Sequence, residues 1–184
     1  TLGYCAVEAD GRLNEGMMYM HEGIRPQLTA LISDLHSRGT KVSGQMAHCG
    51  GFSKNSELRR RRPLGPSFGL NGLGLSRGML FCDAMSLSDI DELIQHYYQA
   101  AVFMKSVGFD ALEIHFGHGY GLCQFMSPKT NKRKDNYGGS FENRMRLPLQ
   151  VLAAVRDAVG NDFPLLAKIS MTEGVRGGLH YDDA

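Results

Sequence analysis

The 184-residue chain is 42% hydrophobic and 21% charged, with a formal net charge of +1. This ordinary globular balance excludes disordered and fibrous classes, and near-neutrality gives no electrostatic reason to expect nucleic acid or a membrane surface as partner. No apolar run approaches the roughly 20 residues that a membrane-spanning helix needs.

The opening "TLGYCAVEADGRLNEG" has neither the basic nor the apolar region of a secretory signal, and the missing initiator Met points to a cut or trimmed N-terminus. The first helix signal follows. "RPQLTALISDLHSRG" sets Leu28, Leu31, Ile32 and Leu35 on one face, with Pro26 near the first turn and Gly39 past the end. "KVSGQMAH" reads as a strand. "SLSDIDELIQHYYQAAVFMKSVG" spaces Ile90, Leu93, Ile94, Tyr97, Ala101 and Met104 at helical period, behind a Ser-x-x-Asp cap signal and ahead of Gly108. The strand "ALEIHF" comes directly after. In a third unit Ser140 caps a helix to about Val159, and "PLLAKIS" is its strand. Pro148 sits inside that helix, at a cost of about 3 kcal/mol unless a kink suits the packing. The closing "GGLHYDDA" reads as the approach to another helix.

Strands alternating with helices predict right-handed crossovers and a parallel sheet. Connections into strands are short, whereas those leaving them are long, at about 49–85 and 117–139. Structureless loops beyond roughly 12–15 residues are uncommon unless functional. Both a (β/α) barrel and a doubly wound sheet place ligands at that end of their strands, so loop asymmetry leaves the two open. Four separated cysteines, Cys5, Cys49, Cys82 and Cys123, with no C-x-x-C pair, read as free thiols in a reducing, cytoplasmic compartment.

The chemistry concentrates in "ALEIHFGHGYGL", Ala111 to Leu122. At the strand end, alternation can point His115 into the mouth of a barrel, and the Gly117 turn can bring His118 beside it. Two imidazoles can donate paired hydrogen bonds to one oxygen gaining negative charge, and losing one such donor typically costs about 10²–10³ in rate. Tyr120 offers an O–H as proton donor. An isolated H-x-x-H is equally read as two ordinary surface or core histidines. A zinc site needs three or four ligands, and the only further candidates are Glu113, expected on the opposite face, and Cys123. "RRRR", Arg59–Arg62, reads as a solvated loop, and "GLNGLGLSRG" as a flexible one that neither follows a strand nor opens a helix.

Taken together the motifs are more specific. "GFDALEIHFGHGYGLCQFMSPKTNKRKDNYGGSFENRMR", Gly108 to Arg146, closely resembles the signature of the old yellow enzyme family of FMN-dependent ene-reductases. That group includes the NADH:flavin oxidoreductases and the flavin domain of bacterial 2,4-dienoyl-CoA reductase. "GQMAHCG" resembles the family's third barrel strand, and "AKIS" its fifth. The resemblance spans nearly the whole chain and implies a (β/α)8 TIM barrel, of which residues 1–184 would be one partial domain. That domain would run from the end of the second barrel strand to the fifth.

The resemblance also implies roles. His115 and His118 would bind the activating oxygen of an α,β-unsaturated carbonyl substrate, and Tyr120 would protonate its α-carbon. Gln45 would hydrogen-bond the flavin pyrimidine edge. Lys168 stands where many members place an Arg near flavin N1 and O2, keeping the charge without the bidentate fork. His48 matches a position close to flavin and substrate. FMN would be the cofactor and NADH or NADPH the reductant, with no metal. Asp135, Glu142, Arg133, Arg144 and Arg146 would build an ion-pair framework for the long loop.

Two departures stand out: "HCGG" puts Gly51 where relatives often carry Arg, and Cys123 replaces a usual acidic or amide residue. The barrel's first strand and its sixth to eighth would be absent, which suggests a homo-oligomer or the remainder of the barrel as partner. The alternatives to an enone reductase are a truncated, non-catalytic half-barrel that pairs with another chain and a metal-dependent hydrolase using the two histidines.

Overall fold

The computed structural model describes residues 1–183. Ala184, the last residue of the expected domain and of the expected helix approach, lies outside them. Local chemistry sets the helices. Ser86 caps a helix over Leu87–Ser106 (α2), accepting from Asp89 N–H while the Asp89 carboxylate takes the Ser86 N–H. Ser140 does the same for Phe141–Val159 (α4), accepting from Asn143 N–H. Pro148 lies within α4 without ending it, its ring buried. The first helix, Arg25–Ser37 (α1), has Pro26 in its first turn and buries Leu28 and Ile32, while Leu31 stays exposed.

Four strands form the main sheet: Leu2–Ala6 (β1), Ser43–Ala47 (β2), Ala111–Phe116 (β6) and Leu165–Ile169 (β7). All three pairings are parallel and the spatial order is β1-β2-β6-β7, the same as the chain order. A doubly wound sheet reverses direction at a switch point, whereas a barrel adds each strand beside the last. The sheet is therefore half of a (β/α)8 barrel, its first member formed as a five-residue strand.

The loop after β2, expected to be structureless, holds a small second sheet. Leu64–Gly65 (β3) pairs parallel with Phe81–Ala84 (β5), and Gly69–Leu70 (β4) pairs antiparallel with it. "GLNGLGLSRG" thus carries β4 and a 3₁₀ turn at Leu75–Arg77. The loop after β6 holds a short helix, Gly121–Met126 (α3), and the C-terminal stretch a 3₁₀ turn at Tyr181–Asp183.

The core lies between the sheet and its helices. Leu112, Ile114 and Phe116 of β6 pack there with Ile90, Leu93, Tyr97 and Met104 of α2 and Leu147 and Val151 of α4. β2 fits so closely that a Cβ on Gly44 would meet Met104 Cε at 2.2 Å and Phe109 at 2.8 Å. Successive strand residues face opposite ways. With Gly44 and Met46 turned to the helices, Gln45 faces the barrel interior, and its in-register partner Glu113 faces it too. His115 follows two residues later and pairs in register with Lys168 of β7. Gln45, Glu113, His115 and Lys168 thus share one face.

Candidate functional site

β6 delivers His115 to the carboxyl end of the sheet, where the turn at Gly117–Gly119 folds the chain back. His118 takes a left-handed φ of +57°, costly for a residue with a side chain, and its N–H is held by Ser170 Oγ at 2.9 Å just beyond β7. Two distant segments therefore fix it. His115 Nε2 and His118 Nδ1 meet at 3.1 Å. His115 Nδ1 accepts from Gly117 N–H at 3.0 Å, which leaves the proton of a neutral ring on Nε2, donating to His118. Burial, then the neighbouring His118 and Lys168, push the His115 pKa down to about 4, so its ring is uncharged at neutral pH.

Tyr120 is the N-cap residue of α3. Its ring stands edge-on to His115 at 5.5 Å, to His118 at 6.3 Å and to Tyr4 at 5.3 Å between centroids. Gln45 Nε2 donates to Glu113 Oε1, and Gln45 Oε1 accepts from Tyr4 N–H at 3.4 Å. The expectation that Glu113 turns away from His115 is thereby corrected: residues two apart on a strand share a face. Lys168 is exposed. The structure gathers His115, His118 and Tyr120 at the strand ends, with Gln45 and Lys168 on the same face.

His48 joins this turn through its backbone, its O accepting from Gly121 N–H at 2.8 Å, while its ring turns to Glu8. It is buried, accepts from Gly50 N–H at 2.9 Å through Nδ1, and turns Nε2 to Glu8 Oε1 at 3.3 Å. His96 Nδ1 stands 3.1 Å from the same oxygen, and Arg59 pairs with the other. Burial works to raise the Glu8 pKa, but the imidazoles of His48 and His96 beside it hold it well below the usual carboxylate range.

The arginine run is more than a solvated loop. Arg59 also reaches Asp10 at 3.4 Å, Arg60 meets Asp89 at 2.6 Å, and Arg62 meets Asp83 at 3.0 Å. The expected ion-pair framework is mostly carbonyl-bonded instead. Arg133 pairs with Asp135 at 2.6 Å and also donates to Pro66 and Met85 oxygens, while Arg144 donates to Met126 O and Arg146 to Asn136 O. Tied to backbone, these arginines hold the loop's shape, not merely its charge balance.

Sequence reasoning gave no role to Gln124. Its buried amide donates to Cys49 O at 3.1 Å and Gly119 O at 2.7 Å and accepts from Gly51 N–H at 2.8 Å, joining the loops after β2 and β6. A Cβ on Gly51 would meet Cys82 Sγ at 2.7 Å. Cys123 is fully buried, and that burial pushes its thiol up to about 11. Among the described residues no group of three or more His, Cys, Asp or Glu is disposed to hold a metal ion, and no helix is long and apolar enough to cross a membrane.

The family model described as the NADH:flavin oxidoreductase / NADH oxidase family matches residues 2–184. The 4,4'-dithiodibutanoate disulfide reductase of Rhodococcus erythropolis is 36% identical over 186 residues, covering 100% of this chain and 44% of that protein. A 2-naphthoyl-CoA reductase, solved with 2-naphthoyl-CoA, superposes with a TM-score of 0.87 at 27% identity, over 97% of this chain and 28% of that one. The old yellow enzyme homologue from Zymomonas mobilis gives a TM-score of 0.82 at 23% identity, over 98% of this chain and 52% of that one, a likeness of fold. The chain thus spans about half or less of the length of these relatives.

Proposed function

The chain belongs to the NADH:flavin oxidoreductase / NADH oxidase family, the old yellow enzyme group, and from that premise we propose that it is the substrate-binding half of an FMN-dependent oxidoreductase. That enzyme uses NADH or NADPH to reduce the activated C=C bond of an α,β-unsaturated carbonyl compound. The observation that carries this reading is the convergence of His115 Nε2 and His118 Nδ1 at 3.1 Å beside Tyr120.

The residues present suit FMN. Gln45 has used one amide hydrogen on Glu113 and one lone pair on Tyr4 N–H. One donor and one acceptor remain, the complement of a C=O beside an N–H on the flavin pyrimidine. Lys168, exposed on the same face, supplies positive charge for an anionic reduced ring. Gln45 and Lys168 would hold the flavin, which when bound supplies the hydride. His48, tied to Glu8, would act from the edge of the site, shaping the loop at Gly50.

A carbonyl oxygen entering between the two histidines replaces their mutual bond. His115 Nε2–H already points there as a donor. His118 Nδ1 is an acceptor in the resting pair and must carry a proton to become the second donor, by a change of tautomer or by protonation. Both then stabilise negative charge developing on that oxygen. Tyr120 O–H delivers the proton to the α-carbon.

A second reading follows from the Rhodococcus relative: the electrophile is a disulfide, whose S–S bond is broken by the same hydride to give one thiol and one thiolate, the thiolate taking a proton from Tyr120 O–H or solvent to become the second thiol. The free, buried cysteines support a reducing, cytoplasmic setting. The test is the absorbance of the purified chain and of the full-length protein, with FMN added and then desalted, followed by NAD(P)H oxidation with an enone or a disulfide. Flavin retained by the full-length protein with enone turnover supports the reading. A chain that binds no flavin and self-associates favours the non-catalytic half-barrel, with a second copy or the remaining barrel as partner.

A further inference from the structure

We infer that Glu113 is a positioning residue that fixes which way the Gln45 amide faces, and through it how a flavin pyrimidine is recognised. The inference rests on the FMN reading above and assigns a role to a side chain that touches neither flavin nor substrate in it. Gln45 and Glu113 are directly opposite in the β2–β6 register, on the interior face. Gln45 Nε2 donates to Glu113 Oε1, and Gln45 Oε1 accepts from Tyr4 N–H at 3.4 Å. A reversed amide would bring its oxygen against a carboxylate and its NH₂ against a backbone N–H, two repulsive contacts. An ionised carboxylate accepts only, so Glu113 permits one orientation. The backbone of Tyr4 alone would leave half of that restraint.

A ring edge presenting a C=O beside an N–H then meets a donor and an acceptor already in place. Preorganisation of this kind raises affinity because the amide need not be ordered at the moment of binding. Glu113 also brings negative charge to the face that Lys168 makes positive, and both act on His115, Lys168 lowering its pKa and Glu113 raising it.

The experiment uses the full-length protein with two probes, FMN and N3-methyl-FMN, which lacks the N–H. Dissociation constants are measured by flavin fluorescence for wild type, Glu113→Leu and Glu113→Gln, with thermal unfolding recorded for each. Glu113→Leu should weaken FMN about ten-fold, the value of one well-placed hydrogen bond, while leaving N3-methyl-FMN nearly unchanged, so that discrimination between the two collapses. Glu113→Gln, whose amide can accept or donate and so no longer excludes the reversed orientation, should lose part of it. Equal weakening of both flavins, or undiminished discrimination in Glu113→Leu, overturns the inference. If Glu113→Leu does not fold, undiminished discrimination in Glu113→Gln overturns it. A wild-type protein that binds neither flavin overturns the cofactor reading itself, a result distinct from the others.

Discussion

His115 Nε2 and His118 Nδ1 are hydrogen-bonded to each other at 3.1 Å, so in the resting site one imidazole satisfies the other. An oxygen ligand must displace that bond and gains two donors in return. His118→Ala should therefore weaken binding of phenols, whose oxygen mimics an enolate, by about ten-fold or more. Phenol titration of the flavin spectrum in the full-length protein measures it, and unchanged affinity contradicts paired donation.

Tyr120 stands edge-on to both histidines, and its proposed role is to protonate the carbon next to a bound carbonyl. Tyr120→Phe should slow enone reduction by about 10²–10⁴ while flavin reduction by NAD(P)H proceeds as before. Stopped-flow measurement of the two half-reactions separates them. Equal loss in both rejects the proton-donor role.

The His115 pKa falls from the ordinary 6.5 to about 4 on folding. Between these values the unfolded chain binds the proton and the folded one does not, so stability rises with pH across that window. Acidification from about 6.5 towards 4 should weaken the fold. Denaturation midpoints over this range should fall more steeply for wild type than for His115→Gln. Parallel slopes would mean that His115 contributes nothing to the acid sensitivity.

Gln124 makes three bonds to the backbone of two loops while buried. Gln124→Leu keeps the volume, orphans Gly51 N–H and Gly119 O, and leaves Cys49 O with only Phe52 N–H at 3.4 Å. We expect a loss of about 3 kcal/mol, with each buried unpaired group costing about 1–3 kcal/mol. Chemical denaturation measures it, and a loss under about 1 kcal/mol would show that the loops are held by other contacts.

How far all this was legible varies with the range of the contacts. The caps at Ser86 and Ser140 are local, and both helices begin where the sequence places them. His115, His118 and Tyr120 fall within six residues, so their meeting follows from one turn. β1 carries no clean alternation: a register irregularity separates Leu2 from Cys5, and Tyr4 takes a φ of +51°. β3, β4 and β5 are too short to show a period. The facing of Gln45 and Glu113 depends on register between strands 68 residues apart, and the pull of Glu8 on His48 crosses 40 residues. Neither distance leaves a trace in spacing.

Because the main sheet's strands stand in the order in which they occur along the chain, assembly on the ribosome has a natural direction. Each emerging strand has its neighbour already made: β2 docks on β1, β6 on β2, and β7 on β6. Only β2 holds its free edge through a long interval, until the small sheet and α2 have been made and β6 follows. His118 is the last piece to lock, since its N–H waits for Ser170 beyond β7, so the site takes its final shape only after the sheet beneath it is built.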